Sequence, residues 1–137
     1  MWLQPFVVVH VLGTALVVGG LIFLNGFGGT PPAVAGGLAG LAGLVGAAIS
    51  AFVCRLWPGL SASASAWKLW LVAWIANPVV IFSFVVAFPG IGCLTGSGGG
   101  WDCIGLIAGA LVAGVCAIPP LVGLVVRRLS TGPVGTS

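Results

Sequence analysis

The stretch that decides the fold of this chain is residues 33–55, AVAGGLAGLAGLVGAAISAFVCR, in which no charge precedes Arg55. About 20 apolar residues in a helix, at about 1.5 Å per residue, cross the roughly 30 Å hydrocarbon core of a bilayer. Uncharged stretches of at least this length also cover residues 1–54, 69–101 and 103–126. The pattern predicts an integral membrane protein made of transmembrane helices.

The composition agrees with this class. Of the 137 residues, 60% are hydrophobic and only 4% are charged, which would leave a soluble domain without a polar surface. The net charge of +3 comes from four basic residues in two places, Arg55 with Lys68 and Arg127 with Arg128. Such clusters at the ends of apolar stretches are explained by membrane topology, so we expect no nucleic-acid partner.

The predicted architecture is an all-α, antiparallel bundle of four transmembrane helices that forms a single domain over residues 1–137. Turn-forming Gly and Pro residues separate the helices. The predicted helices cover about 5–24, 33–54, 67–88 and 103–126, and residues 127–137 form a short tail. Kinks are expected at Pro78 and at Pro119-Pro120, because proline removes a backbone hydrogen-bond donor.

The basic residues also predict the orientation, because short loops rich in Lys and Arg stay on the cytoplasmic side. Both termini and the loop 55–68 are therefore predicted to be cytoplasmic, and the loops 25–32 and 89–102 to face outward. The predicted location is a bacterial inner membrane, with an organelle inner membrane as the alternative.

Two cysteines fall in or beside the second outward loop. Cys93 and Cys103 flank a glycine-rich segment that can bring them within bonding distance, so we expect a disulfide that joins the ends of helices three and four. The alternative is a redox pair, because the topology resembles that of four-helix membrane thiol oxidases. Those enzymes carry a second pair in the other outward loop, and residues 25–32 contain no cysteine. Cys54 and Cys116 are predicted to pack within the membrane.

Small residues recur at helical spacing along predicted helices two and four. On helix two they alternate in steps of four and three, which places them on one face and permits close contact between helices. Ser50 and Cys54 continue that face. The residues predicted to pack in this way are Gly36, Gly40, Gly43, Ala47, Gly105 and Gly109.

Predicted helix three carries a ridge of bulky side chains at the same steps. We expect this ridge to cover the small-residue seam of helix two. The alternative is a face that binds a partner subunit or a planar hydrophobic ligand such as a quinone, carotenoid or chlorophyll, although the sequence requires no cofactor. The ridge residues are Trp67, Trp70, Trp74, Asn77, Ile81, Phe84 and Phe88. The alternative ligand or partner face comprises Trp67, Trp70, Trp74, Asn77 and Phe84.

Few polar residues remain for chemistry. His10 shares a helix face with Gly13 and Thr14, so we expect a buried, neutral imidazole bonded to a carbonyl or hydroxyl group. A role as a metal, haem or pigment ligand or as a proton carrier is the alternative. Asp102, the only acidic residue, is expected to cap the fourth helix. No metal site is predicted.

These features favour a non-catalytic subunit that acts by packing its helices within a larger membrane complex. An enzyme is disfavoured because Asp102 and His10 are predicted on opposite sides of the membrane and form no dyad. One alternative is a homo-oligomeric channel or carrier for a neutral or hydrophobic solute; another is a quinone- or thiol-linked redox protein. The expected partners are membrane lipid and either other membrane subunits or identical copies.

Overall fold

The computed structural model describes residues 4–25, 29–57, 65–97 and 99–131. Its elements within these ranges are helices, with no strand among them. A 3-10 turn, Phe88–Gly90, joins the fourth helix to the fifth. The helices are α1 (Gln4–Asn25), α2 (Pro32–Leu56), α3 (Ala66–Ile75), α4 (Pro78–Ala87), α5 (Ile91–Leu94), α6 (Gly100–Val115) and α7 (Ile118–Thr131).

Three helical segments are long and apolar enough to cross a membrane: Pro5–Asn25, Pro32–Leu56 and Gly100–Ser130. A fourth candidate span combines Ala66–Ile75 with Pro78–Leu94, which are bent by 64° at their junction. The structure thus confirms an all-helical protein with three to four candidate spans. We refer to them in chain order as spans one to four.

Span three breaks where the sequence predicts a kink. Pro78 occupies the first turn of α4, where its missing N–H costs least. Asn77 caps this helix, because its side-chain oxygen accepts a hydrogen bond from the Val79 amide at 3.0 Å. The Asn77 side chain, which the sequence places on the ridge of helix three, thus forms a local helix cap.

Span four is interrupted three residues before its proline pair. The helix α6 ends at Val115, and the Ala117 amide bonds to the Gly114 carbonyl at 3.1 Å, in the tighter 3-10 pattern. The Ala113 carbonyl is consequently released from its usual amide donor. The second break thus creates a backbone acceptor that another group must satisfy.

The predicted loop 89–102 is shorter in the structure than in the sequence-based assignment. Pro89 is tolerated in a first turn, so the chain stays helical to Leu94. It then reverses at Gly96, whose φ of 77° favours glycine. The Ser97 amide bonds to the Gly92 carbonyl at 2.8 Å, which closes a Schellman motif.

The reversal brings the two outward cysteines together. The Cα atoms of Cys93 and Cys103 lie 5.4 Å apart, and the two residues form a disulfide. The helix α6 begins at Gly100, earlier than predicted, so Asp102 lies within its first turn. The Asp102 carboxylate accepts a hydrogen bond from the Gly99 amide at 3.1 Å, so Asp102 caps the helix from position N3.

The small-residue seam of α2 packs on α1. A Cβ placed on Gly36 would lie 2.8 Å from the Phe23 Cβ, and one on Gly43 would lie 3.1 Å from the Thr14 carbonyl oxygen. The expectation that the ridge of helix three covers this seam is therefore wrong. The short connection between α1 and α2 makes them antiparallel neighbours, and α1 occupies the seam first.

Two further antiparallel contacts complete the fold. Gly105 lies beside Val86, and Gly109 beside Ser83 and Ala87, which joins α6 to α4. The helix α7 lies on α1, where a Cβ on Gly123 would lie 3.0 Å from the Phe6 ring. Helices one, two, three and seven share one buried cluster at the end of the molecule that carries the basic residues: Phe6, Cys54, Leu69, Ala73 and Leu124.

Candidate functional site

Among the residues that the structure describes, four polar side chains lie in the interior with no exposed surface: His10, Thr14, Ser50 and Asn77. The Nε2 atom of His10 lies 2.7 Å from the hydroxyl oxygen of Ser50. The Ser50 hydroxyl donates to the Ala47 carbonyl at 2.9 Å, so its oxygen accepts from Nε2–H of the imidazole. This bond links α1 to α2 across the seam.

Two atoms of these interior residues have no hydrogen-bond partner in the described part of the chain: Nδ1 of His10 and Nδ2 of Asn77. A Cβ placed on Gly46, one turn before Ser50, would lie 2.6 Å from the Asn77 side-chain oxygen. The break of span three therefore touches α2 close to the bond between His10 and Ser50. An unpaired buried polar atom costs about 1–3 kcal/mol, so this interior carries a local cost.

Two tryptophans of the ridge, Trp70 and Trp74, donate hydrogen bonds to span four at its break. The indole N–H of Trp74 donates to the Ala113 carbonyl at 2.8 Å, which satisfies the acceptor released there. The indole N–H of Trp70 donates to the Ala117 carbonyl at 3.0 Å. Their rings stack with centroids 5.6 Å apart. The two indoles thus join span three to span four, and the Trp74 indole fills the gap in the backbone hydrogen bonding of span four.

Two other ridge residues face outward. Trp67 is 60% exposed and Phe84 is 50% exposed. The buried face of span three is instead formed mostly by small side chains, because these allow the closest approach of neighbouring helices. Its buried residues are Leu69, Ala73, Asn77, Val80, Ser83, Ala87 and Gly90.

The sequence interpretation missed the hydrogen bonds that join these elements. It assigned Ser50 to the seam as a small residue and Trp74 to a packing ridge, without a polar role for either. The sequence carried no direct signal for the Trp74 bond. The proline pair removes the amide donors of the Val115 and Cys116 carbonyls, whereas the carbonyl that Trp74 binds is released by the 3-10 turn before the prolines. Thr14 bonds within its own helix, to the His10 carbonyl at 2.7 Å.

The two free cysteines lie apart from each other in the core. Cys54 belongs to the cluster with Phe6 and Leu69, whereas Cys116 packs with Val18 and Val80. Both are buried. Within the described ranges, no three His, Cys, Asp or Glu side chains gather as a metal site would require.

The outer surface carries one large apolar groove, of about 730 Å³, between α1, α2, α4 and α6. We call it the outer groove. Small residues from three of these helices contribute to it, and larger aliphatic side chains and Phe82 make up the remainder. The small residues are Ala39, Ala42, Gly46, Ser83, Ala108 and Gly109.

No known protein family, characterised protein or solved structure matches this chain. The class is therefore defined by the fold alone: an all-helical protein with three to four candidate membrane spans and one disulfide. Span three is bent by 64°, and span four is interrupted between α6 and α7.

Proposed function

We propose that this protein is a non-catalytic subunit of a larger membrane assembly, and that a partner's transmembrane helix packs in the outer groove. The observation that carries the proposal is the small-residue lining of that groove. Ala39 and Ala42 on α2 and Ala108 and Gly109 on α6 all line the groove.

Small residues matter here because apolar surface alone does not drive association within a bilayer. Lipid tails are as apolar as Leu, so helices associate through close van der Waals packing, which small side chains permit. A groove lined only by bulky residues would be filled equally well by lipid. Bulky side chains such as Phe82 and Val45 line the groove together with the small ones. A helix that docks there can therefore approach closely at the small residues and also contact the bulky side chains.

The interior supports a packing role. Tryptophan indoles satisfy backbone acceptors around the break of span four, and Asn77 caps the break of span three. The breaks are thus closed by internal hydrogen bonds. A subunit that serves as a fixed surface for its partners needs such a braced interior.

The proposal includes the membrane placement and its orientation. Arg55, Lys68 and Arg128 lie at one end of the candidate spans, and this end is proposed to be cytoplasmic. A cysteine introduced at the exposed Thr30 should react with an impermeant thiol reagent from outside intact cells, whereas one at the exposed Ser130 should not. The reverse labelling would overturn the orientation.

Site-specific photo-crosslinking in native membranes tests the partner helix. A crosslinker at Ala108, which lines the groove, should give an adduct with a different polypeptide. The same crosslinker at Ala110, exposed on the same helix outside the groove, serves as the matched control. Filling the groove with Ala42→Trp should abolish the adduct from position 108. Adducts with lipid only, or equal adducts from both positions, would contradict the proposal.

A second candidate function is a carrier for a neutral or hydrophobic solute. The observation that favours it is the pair of broken spans beside interior residues with unpartnered atoms, since broken helices line the substrate paths of many transporters. Asn77→Cys separates the two. A small, water-soluble thiol reagent should modify it in membranes if a path reaches it, and should leave it unmodified, like the native thiols, in a packed subunit.

A further inference from the structure

A second, smaller cleft of about 480 Å³ lies between α3 and α7, at the end that carries the basic residues. We call it the basic-end cleft. Its apolar lining consists of Ala66, Trp67, Trp70, Leu121, Leu124 and Val125. Ser65 and Arg128 are its polar lining residues. The cleft therefore combines an apolar channel with a guanidinium group.

The apolar part is well suited to a hydrocarbon chain. The indole N–H of Trp70 is already bonded to the Ala117 carbonyl, so this residue offers the cleft its ring. Leu121 and Val125 lie one turn apart on α7 and present aliphatic groups on the opposite side. No polar ligand headgroup would find partners among these side chains.

The polar part carries positive charge. Arg128 lines the cleft, and the Lys68 ammonium lies 5.9 Å from the ring centroid of Trp67, which is itself part of the lining. The start of α3 adds to this, because Ser65 makes no side-chain cap and the positive end of the helix dipole lies there. Asp102, the only acidic residue of the sequence, lies in the first turn of α6, at the end of span four that is far from the cleft.

From this combination we propose that the basic-end cleft binds one anionic glycerophospholipid. An acyl chain lies between Trp70 and the aliphatic side chains of α7, and the phosphate is held by Arg128, with Lys68 nearby. Arg suits this role because its planar donor pair matches phosphate oxygens. Tryptophans and basic residues at the end of a span are also the groups that meet lipid headgroups in a membrane.

The proposal rests on membrane insertion but does not depend on a partner in the outer groove. It is tested on the full-length protein purified in mild detergent, with phosphatidylglycerol and phosphatidylcholine of identical acyl chains. Brominated lipids quench nearby tryptophans, so binding is read from fluorescence. We expect phosphatidylglycerol to bind at least tenfold more tightly than phosphatidylcholine. Inorganic phosphate at the same concentration should neither quench nor displace it, because it lacks the acyl chain.

The charge contribution is isolated with two arginine variants. Arg128→Gln should weaken phosphatidylglycerol binding about fivefold to tenfold, since one basic contact at a lipid surface contributes about that factor. Arg55→Gln removes the same charge from the same end of the molecule but outside the cleft, and should leave binding within twofold. Equal weakening by both variants would show a general surface attraction and overturn the site.

A second pair of variants tests the cleft without changing any charge. Leu121→Trp fills the cleft and should abolish selective quenching. Val122→Trp places the same side chain at the next position on α7, which is exposed and outside the cleft, and should retain it. If Leu121→Trp binds phosphatidylglycerol as the unmodified protein does, no acyl chain occupies this cleft and the proposal fails.

Discussion

Adjacent glycines on α2 should respond in opposite ways to the same substitution. Gly36 faces α1, and an alanine Cβ there would lie 2.8 Å from the Phe23 Cβ and 3.0 Å from the Gly19 carbonyl oxygen. Carbon atoms in contact prefer separations of about 3.5–4.0 Å, so the helices would have to separate by roughly 1 Å. At Gly37 a Cβ would meet nothing within 4 Å.

The expected magnitudes follow from these contacts. Overpacking a close helix interface costs about 1–3 kcal/mol, so Gly36→Ala should destabilise the fold by about that amount. Gly37→Ala adds no clash and gains helix propensity of at most about 1 kcal/mol. The two substituted positions are adjacent in sequence, yet the variants should differ by about 1–4 kcal/mol in the free energy of unfolding.

The assay is reversible unfolding by SDS in mixed micelles, followed by the fluorescence of the six tryptophans. A second pair on α1 repeats the comparison. A Cβ on Gly19 would lie 2.9 Å from the Gly36 carbonyl oxygen, whereas one on Gly20 would meet nothing within 4 Å. If both pairs gave equal stabilities to within about 0.5 kcal/mol, the packing of α1 on the α2 seam would be refuted.

Three further substitutions test the interior and the outward end of the fold. Ser50→Ala removes the partner of the fully buried His10 ring and should cost about 1–3 kcal/mol in the same unfolding assay; an unchanged midpoint would show that the imidazole is bonded elsewhere. Trp74→Phe keeps an aromatic ring, although a smaller one, and loses the indole donor; it should cost about 1 kcal/mol more than Trp67→Phe at the exposed end of the ridge. Replacing both disulfide cysteines with Ser should lower stability by about 2–3 kcal/mol without altering complex formation, whereas loss of the complex would indicate more than a structural crosslink.

The helical class and the candidate spans were predictable because they depend on features that act locally. Long uncharged stretches leave few alternatives to a helix in a membrane, and prolines mark the breaks by removing a donor. The kink at Pro78 was predicted for this reason. The loop from 89 to 102 was predicted too long because Pro89 lies in a first turn, where proline is compatible with helix.

The partners of each helix face were harder to predict. The seam of α2 and the ridge of span three have complementary shapes, but shape alone does not choose between neighbours. The connection between α1 and α2 does, because it makes them adjacent and antiparallel. In an antiparallel helix pair, residues at equal sequence distances from the connection lie side by side. Applied to the connection 26–31, this rule places Ser50 within one turn of His10, to which it is hydrogen-bonded in the structure. The clefts had no such signal, since they depend on the arrangement of several helices at once.

The most direct test of the proposed function is native mass spectrometry of the protein extracted from its own membrane in mild detergent. The account predicts the 13.6 kDa chain in a fixed ratio with at least one different polypeptide. This complex should persist in Ala110→Trp and be lost in Ala108→Trp, which fills the outer groove. Detection of the 13.6 kDa chain alone or only in whole multiples, or a complex unaffected by Ala108→Trp, would contradict it.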